Sequence, residues 1–141
     1  GKIGMLICHD LRYPEACRSL VFKGAQIVLV PSAFGKSRVY SWDVQTRARA
    51  MENGIFILYA NRVGEEPDFA FCGNSRIVNP WGKPVVSLSD SAEGLATAEI
   101  SLDDIPKARE EIPQLPQVRP HIYRYLASSS PWKDSQVFRD I

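Results

Sequence analysis

A chain of 141 residues suffices for one ordinary domain and is short for two. Its 17 Lys and Arg against 16 Asp and Glu leave a net charge of +1, which argues against nucleic acid or a membrane surface as partner. With 45% hydrophobic and 23% charged residues it has a globular composition, and no apolar run nears the ~20 residues of a membrane helix.

The chain opens inside an apolar run. Residues 3–8 read as a buried strand with no polar leader before it. Domains rarely begin in their own core, so this opening predicts a piece of a longer domain. Pro14 suits the first turn of a helix, and Gly24 suits its stop near Lys23. Cys17, Leu20 and Val21 share one face of that helix. Residues 25–30 form a second apolar strand ending at Pro31, which completes a βαβ unit.

A second helix is expected over 41–53, with Val44, Ala48 and Met51 inward and an Asp43/Arg47 pair on its flank. Gly54 ends it, and residues 55–60 read as a third apolar strand. Shorter strands are expected at 73–78, 84–88 and 95–100, the first two joined by the turn Asn79-Pro80-Trp81-Gly82. Beyond Leu102 five prolines limit regular structure, with a short helix expected over 103–111. The organisation read from this pass is an α/β domain over 1–127 and an extended tail over 128–141.

Cys8, Cys17 and Cys72 are too few and too scattered for a disulfide framework and lack zinc spacing. They point to a reducing compartment, the cytoplasm. Cys8 lies where the first strand gives way to the helix. Strand ends of open α/β sheets face the functional crevice, and a sharp strand-to-helix turn exposes a nucleophile. Neither histidine makes a Cys–His dyad: His9 adjoins Cys8 but should point away from it, and His121 lies in the proline-rich region. Asp10 and Glu15 are expected to join a local ion-pair network. Arg12 has the better functional claim, because a guanidinium beside a nucleophile can hold a substrate carboxylate in a bidentate pair. No glycine-rich phosphate loop and no metal-ligand spacing are present in the sequence.

The segment Gly4-Met5-Leu6-Ile7-Cys8-His9-Asp10-Leu11-Arg12-Tyr13-Pro14-Glu15 resembles the nucleophile region of the nitrilase superfamily, the carbon–nitrogen hydrolases. The resemblance continues in order through Val30–Phe34, Arg47–Asn53, Asn61–Gly64, Gly73–Gly82 and Arg119–Tyr123, roughly residues 1–125. It implies half of a four-layer α-β-β-α sandwich, namely the C-terminal half of the family domain. It implies Cys8 as nucleophile, with the His9 backbone N–H in the oxyanion hole. Arg12, Ala33 and Phe34 would lie at the substrate. The family's general-base Glu and its Lys match no residue here. The continuation Cys8-His9-Asp10 is more similar to the amidase and carbamoylase branches than to true nitrilases, which usually continue Cys-Trp-Glu. Hydrolysis of a small amide or carbamoyl compound without cofactor, in a homo-oligomer, is the implied function. The alternative is an inactive interaction protein that keeps the family's assembly surface on the helices around 14–23 and 41–53.

Overall fold

The structure is a computed structural model that describes residues 1–123; the end of the expected domain at 127 and the tail 128–141 lie outside the described residues. Strand β1 (Ile3–Met5) leads through a 3₁₀ turn (Cys8–Arg12) into helix α1 (Pro14–Phe22). Strand β2 (Ile27–Ser32), helix α2 (Val39–Met51) and strand β3 (Phe56–Asn61) follow. Then come the short strands β4 (Glu65–Glu66) and β5 (Phe69–Ala70), and the pair β6 (Arg76–Val78) and β7 (Pro84–Ser87). Helix α3 (Asp104–Glu111) comes last.

The sheet runs β1-β2-β3-β6-β7, with β1, β2 and β3 parallel and the last two strands antiparallel. A mixed sheet of this kind follows from the connections. Parallel neighbours need the long crossovers that α1 and α2 supply, whereas the Asn79–Gly82 turn can join only antiparallel strands. That turn is held by Asn79 Oδ1, which accepts the amides of Trp81 at 3.1 Å and Lys83 at 3.0 Å.

One face of the sheet carries the core. Val28, Val30, Ile57, Tyr59 and Val78 are buried with Cys17 and Val21 of α1 and Trp42 and Ala50 of α2. The period of two along each strand sends the intervening side chains to the other face. There Met5 and Ile3 are exposed, and Leu29, Leu58, Ile77 and Val86 line a shallow apolar hollow. The described residues thus form one helix layer on one sheet, an α/β arrangement that agrees with half of an α-β-β-α sandwich.

Several expectations need correction. The first strand stops at Met5, because Cys8 already begins the 3₁₀ turn. Strand β2 runs through Pro31 to Ser32, paired with Ala60 and Asn61. Residues 95–100 form no strand among the described residues. The largest departure is the phase of α2. Val44 and Met51 are exposed, and the buried face is Trp42, Thr46, Arg49 and Ala50. Two of those four are polar, so the apolar pattern pointed away from the true inner face.

Candidate active site

Cys8 stands three residues past the end of β1, at the first position of the 3₁₀ turn. Its φ is 41°, the left-handed region that an L residue enters at a cost of about 1–3 kcal/mol. The turn is fastened at its front by Asp10, whose Oδ2 accepts the Ile7 amide at 2.9 Å. The amides that open such a turn have no partner inside it. The Asp10 amide goes to the Ile7 carbonyl at 3.0 Å. Asp10 therefore caps the turn; neither it nor Glu15 forms an ion pair among the described residues, contrary to the expected network.

The three thiols differ in kind. Cys8 is half-buried, whereas Cys17 and Cys72 are buried. Burial pushes the Cys17 thiol up to about 11, with nearby Glu52 adding to the rise. Burial also raises Cys72, and a hydrogen bond from Asn61 at 3.2 Å partly opposes it. A raised thiol pKa means less thiolate and an inert sulfur.

Arg12 lies on the same turn, and its guanidinium sits 5.0 Å from the centre of the Phe34 ring. Its Nε is buried and finds no hydrogen-bond partner among the described residues. Phe34 is itself buried, with its ring 5.3 Å from that of Trp42. Ala33, beside it, is exposed. The structure therefore brings Cys8, His9, Arg12 and Phe34 into one neighbourhood at the ends of β1 and β2. His9 turns its ring to Tyr13, with Nε2 and the hydroxyl 3.2 Å apart, and His121 is exposed on the far part of the chain.

Two residues without an assigned role in the sequence hold this neighbourhood. Asn61 ends β3 and is buried. Its Oδ1 accepts the Phe34 amide at 2.7 Å and its Nδ2 donates to the Gly73 carbonyl at 2.6 Å. Arg49 reaches from α2 to the carbonyls of Leu11 and Arg12 at 2.9 and 3.2 Å. A polar residue closing an apolar strand was the available signal for Asn61. For Arg49 no signal separated it from its exposed neighbour Arg47. A small hairpin, β4 with β5, packs against the same loop: the Phe69 ring covers Gly35, and the Cys72 amide donates to the Phe34 carbonyl at 2.9 Å. Two-residue strands show no alternation, which is why the sequence did not reveal them.

Among the described residues no cluster of His, Cys, Asp and Glu could hold a metal ion, and no helix is long and apolar enough to cross a membrane.

Known proteins share this fold. The chain is 43% identical over 115 residues to the deaminated glutathione amidase of Dictyostelium discoideum, a match covering 80% of this chain and 40% of that protein. The crystal structure of a carbon-nitrogen hydrolase from Helicobacter pylori G27 superposes with a TM-score of 0.85 at 33% identity, covering 91% of this chain and 50% of that one. An amidase mutant from Nesterenkonia sp. AN1 superposes with a TM-score of 0.74 at 33% identity, covering 86% of this chain and 43% of that one. That protein carries the acetamide moiety of fluoroacetamide on its active-site cysteine. The chain spans half or less of the length of these relatives. The family model for carbon-nitrogen hydrolases matches residues 1–110, which include the Cys8 turn, both βαβ helices and the full sheet; the chain belongs to the carbon-nitrogen hydrolase family.

Proposed function

We propose that the protein hydrolyses the C–N bond of small amides or carbamoyl compounds through a thioester on Cys8. The observation that carries this reading is the left-handed backbone at Cys8, the one cysteine that is not buried, at a strand end inside the family-matched region. Amide hydrolysis needs a nucleophile, a proton shuttle and donors for a tetrahedral oxyanion. In this reading the Cys8 thiolate attacks the substrate carbonyl carbon, and the oxyanion is met by the His9 amide. Collapse of the intermediate expels ammonia or an amine, which must leave protonated. Water then attacks the thioester, the acid departs, and the thiolate is restored. The reading gives the proton transfers to a Glu and a Lys of the family pattern, which match none of these 141 residues.

In this reading the chain is the C-terminal, nucleophile-bearing half of the family domain, of the amidase or carbamoylase branch, with Arg12 and the Ala33–Phe34 loop at the substrate. The apolar second face of the sheet supports it, because Met5 is exposed there and Leu29, Leu58 and Ile77 are only half-buried among the described residues. A free nucleophilic thiol suits a reducing compartment, and we place the protein in the cytoplasm. Tyr40, Val44 and Met51 form an exposed apolar stripe on the outside of α2, which suits contact with a second copy. The same stripe favours the second reading, an interaction protein that no longer catalyses.

Ammonia release from a small amide, a carbamoyl amino acid and a nitrile decides between them, measured on the full-length protein with Cys8→Ala as control. Hydrolysis of the first two and not the nitrile, lost in Cys8→Ala, is the expected result. No Cys8-dependent release from any of them rejects the catalytic reading.

A further inference from the structure

Arg49 is 7% exposed, and all three arms of its guanidinium are engaged. Nε–H donates to the Leu11 carbonyl at 2.9 Å and Nη2–H to the Arg12 carbonyl at 3.2 Å. Nη1–H donates to Glu52 Oε1 at 3.0 Å, which neutralises the buried charge. Leu11 and Arg12 end the 3₁₀ turn that Cys8 begins, and the last carbonyls of a helical turn have no partner inside it. A planar fork satisfies two adjacent carbonyls at once, and a lysine cannot reproduce that geometry.

We propose that Arg49 is a positioning residue for the nucleophile: it locks the end of the Cys8–Arg12 turn onto α2 and so holds Cys8 in its left-handed backbone. The proposal rests on the reading of Cys8 as nucleophile only for its catalytic consequence; the lock itself is a property of the turn. The strain at Cys8 persists only where its surroundings over-determine it. Asp10 fixes the front of the turn and Arg49 fixes the back, at residues 7 and 11–12. The same bond to the Arg12 carbonyl sets the root of the side chain that stacks on Phe34. Arg47, two residues away on α2, points elsewhere: its Nε donates to the Gly82 carbonyl at 3.1 Å, at the β6–β7 turn. The two arginines of one motif thus serve different ends of the domain.

The test uses the full-length protein with Arg49→Lys and, as control, Arg47→Lys. Iodoacetamide labels thiolates, forming an S–C bond and expelling iodide, and peptide mapping separates the three cysteines. Amide exchange of Asp10 and Tyr13, whose N–H groups bond within the turn, reports the lock directly. The observed labelling rate scales with the fraction of molecules in the competent geometry. In Arg49→Lys, Cys8 labelling falls about tenfold and Asp10 and Tyr13 exchange about tenfold faster, with Cys17 and Cys72 unchanged. Arg47→Lys leaves the turn within about twofold of the parent, since it makes no contact there. If Arg49→Lys does not fold, Glu52→Gln loosens the same guanidinium and gives the same pattern at about threefold. Faster labelling of all three cysteines with exchange rising across the domain would show a general stabilising role and overturn the proposal. Unchanged Cys8 labelling and turn exchange would overturn it as well. The nucleophile reading fails separately if Cys8 of the parent labels no faster than the unfolded peptide; the exchange rates then still decide whether Arg49 locks the turn.

Discussion

Asp10 Oδ2 accepts the Ile7 amide at 2.9 Å, so a carboxylate two residues beyond Cys8 closes the turn that contains it. The bond satisfies an amide just ahead of the turn and sits where an acidic group is favoured by the helix dipole. Asp10→Ala should cost about 1 kcal/mol of stability, the usual value for a lost cap. Asp10→Asn keeps an acceptor oxygen and should recover most of it. Urea melts of both variants, set beside Cys8 labelling, check this; equal losses in the two would show that the charge matters and the acceptor does not.

Asn61 bridges two loops that the sheet alone would leave unconnected, through Phe34 N–H and the Gly73 carbonyl. Both partners belong to buried residues. Asn61→Leu has nearly the same size but leaves the Phe34 amide without its partner and the Gly73 carbonyl with only the long contact from the Cys72 thiol, at about 1–3 kcal/mol each. The variant should therefore lose about 2–6 kcal/mol in a denaturant melt. A loss under 1 kcal/mol would mean that the loops find other partners.

These residues show where sequence reading succeeds and where it stops. Pro14 and Gly24 bound α1 because helix ends are set by local backbone chemistry, which one residue can signal. Cys17 is legible as an inward residue because its helix face is apolar in the ordinary way. Helix α2 failed that test because its inner face is half polar. Thr46 is buried where its backbone carbonyl accepts the Tyr59 hydroxyl at 2.8 Å, and Arg49 is buried where loop carbonyls need donors. Those partners lie 13 and 37–38 residues away on other elements, so the apolar pattern of the helix does not contain them. The outward turn of Val44 and Met51 is the other side of the same fact.

Cys17 also predicts a pH response. Burial raises its thiol to about 11 in the fold, from an ordinary value of about 9. Between these values the unfolded chain loses the proton first, so the folded chain binds more protons and stability falls as pH rises. The contribution is fully present below pH about 9 and is lost through pH about 11, with a limit of about 2–3 kcal/mol. Tyr59, raised by burial as well, adds to the loss at the upper end. Cys17→Ala should flatten the fall across this window, seen in urea melts at several alkaline pH values. An identical slope in the variant would remove Cys17 as its source.

Arg12 should set the preference for substrates that carry a carboxylate. Its guanidinium lies over the Phe34 ring, 5.0 Å from the ring centre, and its Nε lacks a partner among the described residues. A buried donor without an acceptor is costly, so a ligand oxygen that reaches it gains more than a surface contact would. Arg12→Lys keeps one positive charge but loses the planar fork and weakens the stacking, itself worth about 0.5–2 kcal/mol. The preference for a carbamoyl amino acid over its uncharged amide should then fall about tenfold in kcat/KM, which corresponds to about 1.4 kcal/mol. Hydrolysis of the uncharged amide should change by less than about threefold, because the thiol and the backbone bonds that hold its turn are untouched. The measurement is the ratio of the two kcat/KM values in the parent and in Arg12→Lys, on the full-length protein. An equal fall for both substrates would assign Arg12 to the shape of the turn. A ratio that does not move would place the carboxylate site elsewhere.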